Sequence, residues 1–192
     1  MRRRPFARFA GHRRGVSAVE FALVAPCLLL MVMASIDIPR AIAMGRRLGL
    51  AASSTADLIA RDDTKDLSDV YAAADAIATP YDISGARIVL TAAGVYPVGT
   101  GFVARVCSSA ARNGQPRAAG TVIGPAPPGT ASAGARFVMA EVSMRYAAVF
   151  KVFPVLNGWT FSYKAVWPVR EGKAVHGSDE VVLAGGSPCP LL

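Results

Sequence analysis

Residues 16–38 read VSAVEFALVAPCLLLMVMASIDI, and the reading of this run decides the fold. No residue from Phe21 to Ile36 is charged; Glu20 stands near one end and Asp37 near the other. About 20 helical residues cross a hydrocarbon core of about 30 Å. The run therefore has the length and composition of a membrane-spanning helix. Just before it, residues 1–15 read MRRRPFARFAGHRRG, with Arg2, Arg3, Arg4, Arg8, Arg13, Arg14 and His12 and no acid. Arginine and lysine flanking a span stay on the cytoplasmic side. That rule puts the N-terminus in the cytoplasm and the chain after Ile38 on the other side of the membrane. Arg40, Arg46 and Arg47 oppose it, but the tail has more arginines within reach of the span.

Two other readings share these features. A secretory signal peptide also joins a basic region to an apolar one, and Val32-Met33-Ala34 before Ser35 would serve as its cleavage site. Against it stand the length of the basic region and Glu20 at the start of the apolar one. A buried core helix is disfavoured by the arginine block directly beside it.

The chain has 192 residues, room for one domain of ordinary size. Its hydrophobic content of 53% excludes a disordered chain, and three cysteines exclude a disulfide-dense miniprotein. A net charge of +8 points at first to a polyanionic partner. Six of the 21 cationic residues, however, lie in the first fifteen positions, and the remainder is nearly balanced. The partner implied is a bilayer and then other helices; no nucleic acid is expected.

Downstream, Pro39 predicts a kink or break just outside the bilayer. Ala41, Met44, Leu48, Ala51, Thr55 and Leu58 then recur at three- and four-residue steps, which predicts an amphipathic helix over about 40–60. Arg61-Asp62-Asp63-Thr64 punctuates it. A second helix follows, with Leu67, Val70, Tyr71, Ala74 and Ile77 on one face and Asp66 and Asp69 at its positive N-terminal end; Thr79-Pro80-Tyr81 ends it. From residue 86 the pattern becomes β. Ile88 and Leu90 alternate with their neighbours, and Phe102 to Cys107 is a short run. Two clear strands follow, Phe137 to Tyr146 and Trp159 to Trp167. In the first, Val138, Ala140, Val142, Met144 and Tyr146 share a face; in the second, Trp159, Phe161, Tyr163, Ala165 and Trp167 do. Residues 111–134, rich in glycine, proline and alanine, predict a loop with no regular element. The exposed apolar stretch from Ala147 to Leu156 reads as a subunit interface or a ligand surface. The organisation is thus a basic leader over 1–15, a transmembrane helix over 16–38, amphipathic helices over 39–80 and a β-rich domain over 81–192 on the far side of the membrane.

Catalytic and metal chemistry is not supported by any motif. His12 and His176 are the two histidines, and there is no Gly-x-Ser-x-Gly elbow. Cys107, Cys189 and His176 have no zinc-ligand spacing. Gly94, Gly99 and Gly101 lack the Lys-Ser/Thr of a phosphate loop. No cofactor, metal or enzymatic activity is expected. Cys107 and Cys189 would both lie in an oxidising compartment, where a disulfide between them would close a loop of about 80 residues, worth up to about 4–5 kcal/mol. Cys27 reads as a small apolar residue of the span.

Glu20 is the residue that fits the apolar run least. A carboxylate in a span costs a few kcal/mol at the bilayer centre and less near the interface, and is paired or functional by default. The segment Arg13-Arg14-Gly15-Val16-Ser17-Ala18-Val19-Glu20-Phe21 resembles the class III signal of type IV pilins and pseudopilins. In that signal a basic leader ends in glycine and the fifth residue after it is glutamate. The Glu20-Phe21 pair followed by Ala22-Leu23-Val24-Ala25-Pro26 is similar to the TadE-like minor pilins of the tight-adherence (Tad) branch. Phe137 to Tyr146 and Ala165-Val166-Trp167-Pro168-Val169-Arg170 bear a looser likeness to the C-terminal half of these proteins. They depart from it in having Arg170 as the only arginine beside the proline.

The resemblance implies an α+β, pilin-like fold: a long N-terminal helix, a second helix and a small antiparallel sheet. It implies cleavage by a prepilin peptidase between Gly15 and Val16, where glycine leaves the scissile bond unhindered. It gives Glu20 and Phe21 to assembly, with the Glu20 carboxylate pairing with the new amine of a neighbouring subunit. A misregistered subunit would leave a charge buried and unpaired. The partners implied are the inner membrane, the prepilin peptidase, other pilin or pseudopilin subunits and the pilus assembly platform. The alternative is a secreted or anchored envelope protein whose β domain binds a ligand.

Overall fold

The computed structural model describes residues 13–61, 66–152, 154–175 and 177–191. The leader through His12, the Asp62-Asp63-Thr64 punctuation, Phe153 and His176 lie outside them. The architecture is α+β: a long apolar N-terminal helix, a second helix and a curled antiparallel sheet. Helix α1 spans Arg13–Ile59, 47 residues, or about 70 Å at 1.5 Å per residue. Helix α2 spans Leu67–Ala78 and starts where the Asp66 carboxylate accepts the Ser68 amide at 2.9 Å. This N-cap satisfies one of the donors that a helix start leaves open, and the bond lowers the carboxyl pKa.

The helix runs through Pro39 without a break, contrary to the expectation from sequence. A proline inside a helix costs about 3 kcal/mol, because it withholds one N–H and crowds the preceding turn. Packing outweighs that cost here. Asp37, Ala41, Met44, Leu48, Ala51, Ala52, Thr55, Ala56 and Ile59 are all buried on one face of the same helix. They lie against α2 and against the two sheet strands at Arg136–Arg145 and Thr160–Pro168.

The five-stranded sheet has the order β3-β2-β1-β4-β5, all antiparallel. Its strands are β1 Arg87–Val98, β2 Gly101–Arg112, β3 Val122–Pro125, β4 Arg136–Arg145 and β5 Thr160–Pro168. A one-turn helix, α3 (Pro154–Asn157), precedes β5, and a hairpin of β6 (Lys173–Val175) and β7 (Ser178–Glu180) follows it. Strand β1 is central and buried on both faces, so its sequence lacks the clean alternation of a half-exposed strand. Ile88, Leu90 and Ala92 join Val138, Ala140 and Val142 of β4 in the core under the helices. Ala93 and Val95 join Phe137, Met139 and Ala104 in a second core on the opposite face. That second core corrects the reading of residues 111–134 as wholly irregular. β3 forms within the stretch, and Ile123, Ala126 and Ala135 cover the back of the sheet. Four residues of strand among several prolines and glycines carry too little periodicity to stand out in the sequence.

The aromatic row of β5 faces the helix. Phe161, Tyr163, Ala165 and Trp167 pack against the main core. Gly45 and Gly49 of α1 make room for them: a Cβ on Gly45 would lie 2.8 Å from Tyr163 Oη and 3.1 Å from Phe161 Cε1. Trp159, assigned to the same row, is instead exposed and stacks on Phe161 with ring centroids 5.6 Å apart.

Candidate functional site

The two halves of α1 have opposite surroundings. From Ser17 to Ile36 almost every side chain is uncovered, including Phe21 at 69% exposure, Leu23, Leu28, Leu29 and Met31. Leucine, methionine and phenylalanine in that number are normally buried. A helix bare of covering side chains and apolar on every side has a hydrocarbon environment or other helices as its solvent. The helix from Ser17 to Ile59 contains a window of mean hydropathy 2.3, enough by length and composition to cross a membrane. Such a helix suggests membrane anchoring. Of the residues singled out in the sequence, Gly15 and Val16 lie in the opening residues of α1, and Glu20 and Phe21 stand exposed on its uncovered part. Cys27 is exposed on the same part and carries a free thiol.

The change of surroundings happens at one residue. Asp37, fully buried, ends the bare stretch. Its carboxylate Oδ1 accepts the Val149 amide at 2.8 Å, and its Oδ2 accepts the Phe150 amide at 3.1 Å. The Tyr146 hydroxyl reaches the Asp37 carbonyl at 3.2 Å and Oδ1 at 3.4 Å. Burial pushes the Tyr146 phenol pKa up, and the Asp37 charge adds to that. A carboxylate that accepts several amide and hydroxyl donors is a strong anchor in a low-dielectric site. Asp37 thus fastens the turn after β4 to the neck of the helix. In the sequence alone Asp37 reads only as the charge closing the span, and its role at the neck is not visible there. The available signal was the one noticed at Glu20: a carboxylate at the edge of a long apolar run.

Further ties fix the helix and sheet as one body. The Ala60 carbonyl, at the end of α1, accepts the amides of Arg170 at 2.8 Å and Glu171 at 3.2 Å. The Arg170 guanidinium lies 3.1 Å from Asp57 and over the Trp167 ring at 4.7 Å. Arg112 grips Asp75 of α2 with two bonds, of 2.8 and 2.7 Å. At the C-terminus, Cys107 and Cys189 are joined by a disulfide with their Cα atoms 4.6 Å apart. Cys107 is the extra residue of a bulge in β2, since Ala92 pairs with Ser108 and Ala93 with Val106. A bulge re-aims the side chain it carries. Beside it, buried Glu180 takes Arg136 Nε at 2.7 Å and the Cys189 amide at 2.8 Å.

Among the described residues, no three His, Cys, Asp or Glu come together as metal ligands. The acidic groups placed most deeply, Asp37 and Glu180, are both held by donors of the fold itself. What the geometry offers is a long, uncovered apolar helix rigidly joined to a β domain. Residues 15–57 match the TadE-like protein family. The TadE-like segment begins at Gly15 and takes in the whole uncovered stretch, the Asp37 neck and most of the docked part of α1. No curated protein and no solved structure matches the chain.

Proposed function

We propose that this protein is a structural minor pilin or pseudopilin that takes part in assembly of a Tad-type pilus. In this reading it is inserted with its N-terminus in the cytoplasm and its β domain in the periplasm. A prepilin peptidase cuts after Gly15 and removes all six leader arginines. The processed helix then packs against the helices of other subunits and of the assembly platform, and the β domain travels with it as a rigid head. Its work is packing, not catalysis.

The observation that carries the reading is a coincidence of boundaries. The TadE-like match starts at the glycine where the leader would be cut. The helix it covers leaves most of its apolar residues from Ser17 to Ile36 uncovered by the other described residues of the chain. A membrane can hold that surface first and neighbouring helices afterwards. Glu20, on this surface, supplies the register. Aligned with a neighbour's N-terminal amine its charge is compensated; misaligned, it is buried alone.

Mass spectrometry of the protein from envelope fractions tests this. A mature N-terminus at Val16 is expected. Ser35 would make it an exported soluble protein, and Met1 a permanently anchored one; either overturns the proposal. Glu20→Ala should be cut normally and yet be depleted from sheared pili or assembly complexes by about tenfold or more, the scale of a charge mismatch of 1.4 kcal/mol or above. Incorporation equal to wild type would remove the register role.

A further inference from the structure

The end of the β domain nearest the bare helix carries its own apolar surface. The register of β5 against α1 shows where that surface sits. Trp167 lines the same groove as Asp57 and Leu58, Tyr163 lies over Gly49 and Gly45, and Phe161 lies over Gly45. Strand β5 therefore descends along the helix toward the bare part, and Trp159, two residues before Phe161, lies at about the level of Ala41. The Trp159 carbonyl accepts the Tyr146 amide at 2.8 Å, and Tyr146 reaches Asp37. The turn between them is closed by the Asn157 side chain, which accepts the Ala148 amide at 3.3 Å, and is pinned at Asp37 by Val149 and Phe150.

Val149 is 51% exposed, Val152 47% and Trp159 53%. Arg40, Arg145 and Lys151 are exposed around them. Asp37 is the acidic side chain in this turn's bonding, and its carboxylate is enclosed. From Ser17 to Asp37 the helix rises about 30 Å, the thickness of a hydrocarbon core. The pinned turn then falls in the headgroup layer, about 5–8 Å deep on each side. Exposed tryptophan, short apolar residues and cations are the composition favoured at that depth.

We infer that the segment Val149–Val152 together with Trp159 is a bilayer-interface foot: it rests in the outer headgroup layer of an anionic phospholipid membrane and fixes the depth and tilt of the β domain on α1. The inference rests on the membrane-resident state of the proposed function. The partner is lipid because the patch is continuous with the bare helix, through the Asp37 bonds, and its exposed charges are cationic, complementary to anionic headgroups.

The full-length chain, reconstituted in nanodiscs of phosphatidylethanolamine and phosphatidylglycerol, provides the test. Its two tryptophans report separately. Trp167, beside Asp57, is about 30 Å farther along the helix than Asp37, beyond the reach of a lipid-borne quencher. Lipids brominated near the headgroup should quench roughly half of the emission, the share of one of the two tryptophans near the interface. Trp159→Phe, a change at an exposed site, should abolish the quenching. Cys27 serves as the control for the span and should resist a water-soluble maleimide. No bromine quenching with Cys27 protected overturns the foot while the span stands, whether Trp159 is open to acrylamide or shielded by another protein copy. Ready labelling of Cys27 overturns the span and the foot with it.

Discussion

Asp37 concentrates the architecture in a single side chain. It is charged, fully buried and bonded to three donors from a turn more than a hundred residues away. Removing its carboxylate strands the amides of Val149 and Phe150, and an orphaned buried donor costs about 1–3 kcal/mol. Asp37→Ala is expected to lower stability by about 3 kcal/mol, since the two losses overlap and water reaches part of the site. Asp37→Asn retains one acceptor oxygen and should lose less. Thermal unfolding of the full chain in detergent micelles measures both. An alanine variant as stable as wild type would show that the neck holds without its carboxylate. The sequence disclosed that an acid stood at this position but not what it met. Its partners, Tyr146, Val149 and Phe150, are fixed by the fold, and no local pattern points across that distance.

At the scale of elements, α1 and β5 were the most legible parts, and they meet through glycine. The three- and four-residue spacing of Ala41, Met44, Leu48 and Ala51 marked the docked face, and the alternating aromatics of β5 marked the surface that covers it. Less legible was the continuity of the helix. Pro39 is a local signal for interruption, and the buried stripe that overrides it is a tertiary effect. The pair Gly45 and Gly49 also escaped notice, because glycine within a helix reads as a mere weakness. Its reason is the close approach of Tyr163 and Phe161. Gly45→Val would place its side chain between those rings. Overpacking costs about 1–3 kcal/mol, more than the few tenths gained from valine's better helix propensity. The variant is therefore expected to unfold at a lower temperature and to expose Tyr163 to solvent. An unchanged or raised midpoint would mean that the rings shift aside freely.

Over the whole molecule, the N-terminal half and the C-terminal end are secured by different chemistry. The helix is held mainly by apolar packing, with Asp37 and Asp57 as its polar ties, while the last residues bury Val181 and Leu183 and add a set of discrete ties to the sheet. Tyr96 donates its hydroxyl to the Pro190 carbonyl at 2.9 Å, Ser108 Oγ accepts the Leu183 amide at 3.0 Å, and Glu180 bridges Arg136 to the Cys189 amide. Burial pushes the Tyr96 phenol pKa up, which favours the protonated form that donates this bond. The sequence paired Cys107 with Cys189 through compartment alone; it could not place Glu180 and Arg136 beside them, since their approach depends on how the tail crosses the sheet. In the chain-entropy picture a disulfide closing a loop of this length contributes up to about 4–5 kcal/mol. The polar ties survive reduction but become easier to open, because a tail no longer cross-linked gains more conformational entropy when it leaves the sheet. Replacing both cysteines by serine is expected to lower the unfolding midpoint and to make the chain after Glu180 sensitive to protease. The helical signal in circular dichroism should be retained below the midpoint, since the core under α1 and α2 is built mainly from the sheet and takes only Val181 and Leu183 from the tail. Loss of helix along with the tail would mean that the bond stabilises the entire fold. A tail equally resistant with and without the cysteines would assign its seat to Glu180, Tyr96 and Ser108 alone.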